Sequence, residues 1–304
     1  MPGSIELSGL AGATLFLVAC GSVGNPPDAT PIRLAADSAV RSALAMEASL
    51  DPADFPDGSV GVMPLRVDAL DPDLAPLGFG LAELLMSDLA KSSRLRVVDR
   101  LRIHALLREV ALTNEGVVDL SSGVREGRLV GARHLVLGSV MPATGSDLLV
   151  DVDLVAAGDG SLTNVVTGST SVDDILDAET ELALALFDAL GVALTPSERE
   201  AVVRRPTRDL LALLAFSRGV EAEAEGRILD AIDGYRTAIE VDPAFLEPRE
   251  LLNSLETYFP DVRGVAHLMI DAINRPGLPE ISDVTDPAFQ DRQGAVLVIP
   301  IVIR

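Results

Sequence analysis

Three histidines, His104, His134 and His267, are the side chains of this 304-residue sequence best suited to moving protons or binding metal near neutral pH. They fall in separate expected elements, and none is spaced as His-x-x-x-His or His-Glu-x-x-His, so each reads as a structural histidine. Gly78-Phe79-Gly80 lacks the third glycine and the preceding strand of a dinucleotide-binding turn. Neither a phosphate-binding loop nor a Gly-x-Ser-x-Gly elbow occurs. Carboxylates gather at Asp68, Asp71 and Asp73 and at Asp173, Asp174 and Asp177. The first group could offer loop oxygens to calcium, but it lacks the glycine and distal glutamate of a calcium loop and reads as solvated charge. No catalytic residue, cofactor-binding residue or metal ligand emerges, and the expectation is a protein that is not an enzyme.

Composition narrows the classes further. Lys and Arg total 24 against 46 for Asp and Glu, a formal charge of -22 that repels phosphate backbones and argues against nucleic acid as a partner. A 48% hydrophobic fraction with 3% aromatics describes cores of Leu, Val, Ile and Ala. The single cysteine, Cys20, excludes an internal disulfide and directly follows the apolar run Leu10 to Ala19. That run is shorter than the ~20 residues of a membrane-spanning helix and reads as the apolar region of an export signal. Leu17-Val18-Ala19-Cys20 resembles the bacterial lipobox, which implies cleavage before Cys20 and attachment of acyl chains to it. Residues 1–9 carry no Lys or Arg and one acid, Glu6, a departure from the usual positive start.

The remaining chain divides by pattern. Residues 20–57 read as a lipidated N-terminus, a Gly- and Pro-rich tether and a short Ala-rich helix over 33–49. Between 58 and 205 strand and helix patterns alternate. Ser59–Val67 reads as a strand bent at Pro64, Gly78–Ser92 as a helix with Leu81, Leu84, Leu85, Asp88 and Leu89 on one face, and Leu95–Arg100 as a short strand. An amphipathic helix through Ile103, Leu106, Leu107 and Val110 and a polar one over 117–131 follow. The strands His134–Val140, Leu148–Ala156 and Leu162–Thr170 come next, the last two joined by a Gly-rich hairpin, and a helix over Val172–Leu190 closes the unit. The fold class expected is α/β, a layered domain on a mixed sheet, followed by an α-helical domain over 206–274. Residues 275–304 read as a loop and a strand. The run Ala295–Ile303 suits a buried strand or one added to a partner's sheet edge, and it needs cover because a bare apolar strand invites aggregation.

Three stretches carry a family resemblance over roughly half the chain. Val60-Gly61-Val62-Met63-Pro64-Leu65, then Val97-Val98-Asp99-Arg100 with Leu106-Leu107-Arg108-Glu109, then Gly131-Ala132 leading into Leu135-Val136-Leu137-Gly138-Ser139-Val140, resemble the curli-secretion (CsgG-like) lipoproteins. Their relatives include penicillin-binding-protein activators and TolB-N-like modules. Arg100, Glu109 and Gly138 are the structural residues of that signature here, and Arg100 has Glu109 or Asp99 as its expected ionic partner. Residues 212–245 resemble one tetratricopeptide repeat, with Gly219, Gly226, Ala231, Tyr235, Ala238 and Pro243 at its offsets and with Arg218 and Ala222 departing from its preference for larger apolar residues. Its concave face is a candidate partner site, through Arg218, Ala222 and Tyr235, or is purely structural.

These resemblances imply a lipid-anchored protein of the cell envelope, in the outer membrane and facing the periplasm. It would act as an accessory or scaffold that binds protein partners, with self-association into a ring. The alternative is a subunit of a CsgG-type outer-membrane secretion channel, for which the extra amphipathic hairpins of a pore are not evident.

Overall fold

Proline 64 divides the first strand. It has no N–H for a ladder, and the chain answers with two short strands, β1 (Ser59–Val62) and β2 (Arg66–Val67), in place of one bent strand. Both lie parallel to β4 (His134–Pro142), but the register moves from Val62 opposite Val136 to Arg66 opposite Ser139, so one extra residue is absorbed between them. The Leu65 N–H turns away from the sheet to the Gly78 carbonyl at 3.1 Å. The computed structural model describes residues 31–68, 72–112, 123–143 and 147–258. Cys20, His267, the helix expected near 262–274 and the stretch 275–304 lie outside them.

Among the described residues the sheet has six strands, in the order β3-β1-β4-β5-β6 with β2 alongside β4. Here β3 is Arg96–Val97, β5 is Asp147–Ala156 and β6 is Leu162–Ser171. Strands β3, β1 and β4 are parallel, and β4, β5 and β6 form an antiparallel meander. This is the mixed α/β sheet expected. The strand expected over Leu95–Arg100 shrinks to β3 because the Asp99 carboxylate accepts the Leu101 N–H at 2.8 Å and starts a helix at Arg100. The 157–160 turn closes as expected: Gly160 takes a positive φ of 72° and the Asp159 carboxylate accepts the Ser161 N–H at 2.9 Å.

Helices cover both faces of the sheet. On one side α1 (Pro31–Ala45), α3 (Arg100–Leu112) and α4 (Gly123–Val130) bury Val40, Ile103, Leu106 and Leu129 against Met63, Leu135, Leu137 and Val155. On the other, α2 (Leu77–Leu89) and α5 (Ile175–Ala189) bury Leu81, Leu85, Leu182 and Phe187 against Val60, Val62, Val136, Val150 and Val152. A short helix, α6 (Pro196–Val202), begins with a capping box: the Thr195 hydroxyl accepts the Glu198 N–H and the Glu198 carboxylate accepts the Thr195 N–H. Hydrogen bonds from the Thr195 N–H and the Thr195 side chain, with a smaller contribution from the nearby Arg94 guanidinium, hold the half-buried Glu198 carboxyl down at about 2.

Three helices follow, α7 (Leu210–Glu225), α8 (Ile228–Val241) and α9 (Glu247–Tyr258). Asp209 caps α7 by accepting the N–H groups of Leu211 and Ala212, and Gly226 ends it at a φ of 83°. Helix α7 rests on both α2 and α3, and the buried cluster under α2 runs without a break into Leu213, Phe216, Tyr235, Phe245 and Leu255. Each such side chain contributes roughly 1.5–3 kcal/mol by leaving water, so the helical region shares the core of the α/β layers.

Helix α2 is apolar nearly all round because it is covered nearly all round. Its Gly78 and Gly80, the residues that looked like a partial dinucleotide turn, serve this packing. A Cβ on Gly78 would overlap the Leu65 carbonyl, and one on Gly80 would overlap the Ser217 hydroxyl of α7.

Candidate functional site

The α7–α8 pair is built on small residues. Gly219 of α7 faces Tyr235 of α8, where a Cβ would sit 2.6 Å from two ring carbons, and Gly234 faces Gly219, where a Cβ would sit 2.7 Å from its Cα. Ala231 and Ala238 are fully buried in the same seam. Past the end of α8 the Pro243 carbonyl accepts from the Arg249 guanidinium at 3.1 Å. The sequence pattern identified Gly219, Ala231, Tyr235, Ala238 and Pro243 but passed over Gly234, which reads as an ordinary polar-face glycine until its neighbour is known.

Beneath this pair a charged cluster is sealed against α2 and α3. Arg100 pairs with Glu223 of α7 at 3.1 Å, with side chains 11% and 3% exposed, and the Tyr235 hydroxyl donates to Glu223 at 2.8 Å. The expected partners of Arg100 were Asp99 and Glu109. Asp99 is committed to capping α3, and Glu109 faces Arg41 of α1 at 3.8 Å, while α7 brings in a carboxylate more than a hundred residues away. Glu83 of α2 joins the cluster with its Oε2 shut off from solvent. Burial raises its carboxyl to about 7, Arg100 acting against the rise and Glu223 and Asp99 adding to it. Burial, followed by the Glu223 charge, also pushes the Tyr235 hydroxyl well above its ordinary range.

A second cluster sits further along α2. Lys91 pairs with Asp88 and donates to the Ala201 carbonyl at 3.2 Å. Glu179 of α5 is buried nearby, and burial together with the Asp88 charge lifts its carboxyl well above normal. Burial raises Asp88 and Glu247 of α9 in the same direction. Asp88 was visible in sequence as an acid on an apolar helix face; Glu83, Glu179 and Glu223 gave no such signal because their partners come from distant segments.

On the outside of the α7–α8 pair, a groove of about 420 Å³ runs beside Pro76 and is lined by Arg218, Glu221, Arg227, Asp230 and Asp233. Arg218 reaches across to Asp73 at 3.5 Å, and Arg227 is held by Glu225 at 2.6 Å and Asp230 at 2.7 Å. Glu221 is partly buried at this surface, and burial with the nearby Glu225 charge raises its carboxyl. Of the three residues expected at a partner surface, only Arg218 reaches solvent. Ala222 and Tyr235 are 1% and 0% exposed and belong to the packed seam, because they lie on the side of the helices that meets the core.

The other singled-out residues have structural surroundings. A Cβ on Gly138 would lie 2.8 Å from the Asp151 carbonyl and 2.9 Å from Leu65 and Val152 side-chain atoms. His104 is buried in α3, and burial lowers the proton affinity of the half-buried His134. Asp68 accepts from Arg66 at 3.0 Å, Asp174 accepts from the Ser171 hydroxyl at 2.7 Å, and Asp177 pairs with Arg205. Among the described residues no group of three or more His, Cys, Asp or Glu is arranged to hold a metal ion, and no helix is long and apolar enough to cross a membrane.

A family model described as the curli production assembly/transport component CsgG matches residues 69–142, the stretch that contains α2, β3, α3, α4 and β4. No curated protein matches the chain. Among solved structures, the C-terminal domain of LpoB from Salmonella enterica is 15% identical, with 44% of this chain and 94% of that one covered at a TM-score of 0.29. LpoB of E. coli is 15% identical over 56% of this chain and 83% of that one, also at 0.29. Lipoprotein GNA1162 from Neisseria meningitidis is 16% identical over 45% of this chain and 99% of that one, at 0.27.

Proposed function

We propose that this chain is a non-catalytic lipoprotein of the cell envelope, held to the membrane through acyl chains on Cys20, that serves an envelope assembly by docking a protein partner. The observation that carries the reading is the match of residues 69–142 to a family described as an assembly and transport component. The position of Cys20 behind an apolar run adds support for the anchor. The α7–α8 pair, read as one tetratricopeptide-like unit packed on the α/β domain, is the docking element, and its groove offers both charges to the partner. In this reading residues 58–205 and 206–274 are two domains with a shared core, and contact with the partner falls on Arg218, with Ala222 and Tyr235 holding the groove's shape from behind.

Tagged chain recovered from membranes, sized in mild detergent and imaged, tests this. Comparing Arg218→Glu with Glu240→Lys, an exposed change outside the groove lining, assigns the surface. A companion lost with Arg218→Glu and kept with Glu240→Lys supports the docking reading; a monomer without companions ends it. Heat-modifiable migration of a large ring would favour a channel subunit instead. Release of the chain from membranes on Cys20→Ser checks the anchor.

A further inference from the structure

The outer edge of the last strand has no strand beside it among the described residues. Among the described residues β6 pairs only with β5, and its sequence, LTNVVTGSTS, contains no Pro, Lys, Arg, Asp or Glu, the residues that usually protect a sheet edge from pairing with another strand. Its one defence is a bulge at Val165, where Val152 faces Val166 but Asp153 faces Asn164. Beyond the bulge, Val166–Ser171 pairs with β5 in unbroken register. Thr167, Gly168 and Ser169 are exposed.

The direction of the free backbone groups follows from the ladder. The Ala143 N–H donates to the Asp147 carbonyl, so odd-numbered residues of β5 bond towards β4, and even-numbered ones bond towards β6. The Ala156 N–H, which donates to Ser161, agrees. Val150 therefore exchanges bonds with Gly168, and Leu148 with Thr170. Thr167 and Ser169 direct their N–H and C=O groups outward, while the Ser171 carbonyl is taken by the Asp174 N–H at 3.2 Å.

We propose that residues 295–303 of the same chain occupy this edge as a seventh strand. Ala295–Ile303 is β-branched and apolar, long enough to pair along Val166–Ser171, and hazardous if left bare. The 36 residues 259–294 give it a coil reach of about 30 Å from the end of α9, so the tethered segment outcompetes a copy in trans at ordinary concentrations. Pro300 sets the register. Its missing N–H is harmless only on the outer side, so residues 297, 299, 301 and 303 bond to β6, and Pro300 blunts the new edge that the added strand creates.

Residue-resolved hydrogen exchange on the full chain in mild detergent tests the assignment. Ending the chain at residue 294 should speed exchange at Thr167 and Ser169 at least tenfold, with Val166 and Gly168, bonded to β5, unchanged. Ile299→Pro should reproduce the truncation and Val298→Pro should not. Equal exchange at Thr167 and Ser169 with and without the segment overturns the proposal, as do equal effects of the two proline variants. Protection that grows with protein concentration transfers the occupant to a second copy and overturns pairing within the chain.

Discussion

The two sides of α7 treat charge in opposite ways. Towards α2 and α3, Glu223 is 3% exposed and held by Arg100 and the Tyr235 hydroxyl. Towards solvent, Arg218 is about half exposed and meets Asp73 only at 3.5 Å. A buried carboxylate gives up its hydration and must recover it from close partners, whereas a surface pair recovers little and loses little. The inner charges thus fix how the helical pair sits on the α/β layers, and the outer ones remain available to another molecule.

The largest effect expected from breaking this contrast is on the inner side. Glu223→Ala takes the counterion from a buried arginine and the acceptor from a buried tyrosine, and should cost about 3–5 kcal/mol in denaturant unfolding. Gly219→Ala places a methyl group against the Tyr235 ring and should cost about 1–3 kcal/mol, read as a lower melting temperature. If both changes are mild, the seam is not the organising contact.

Protonation sharpens the comparison. Glu83 binds its proton more tightly folded than unfolded, so its contribution to stability is complete below the ordinary carboxylate range of ~4.3 and is lost as pH rises through about 7. The loss should be on the order of 2 kcal/mol, and Glu83→Gln should remove that share of the slope between pH 5 and 8 in urea titrations. Asp88, Glu179 and Glu247 are raised in the same sense, so some slope will persist in the variant. Glu198 acts oppositely, and its contribution disappears only as pH falls towards about 2, outside this window. The smallest expected effect is that of Arg218→Ala, within about 0.5 kcal/mol of wild type in the same unfolding assay, and a larger loss would show that the outer face is structural too.

Much of the fold was legible because its signals are local. The alternation of β5, the glycine turn before β6, the Thr195–Glu198 cap and the apolar stripe of α2 each follow from residues within one or two turns of one another. The seam was half legible. The small-residue spacing at Gly219, Ala231 and Ala238 announced two close helices, but which side of Tyr235 and Ala222 they would cover was not contained in that spacing. Arg100 shows the limit most clearly: every carboxylate near it in sequence was a plausible partner, and the one that binds it lies on another helix.

The sequence by itself determined that strands and helices alternate into an α/β layer, that a helical pair follows, and that a lone cysteine stands behind an apolar run, because periodicity, turn chemistry and motif spacing are properties of neighbouring residues. Only the tertiary structure decided that α7 lies on α2 and α3, that Glu223 and not Glu109 neutralises Arg100, and that β6 has β5 as its one strand partner among the described residues. Those outcomes depend on which surfaces bury together, and burial is a property of segments that meet in space however far apart they lie along the chain.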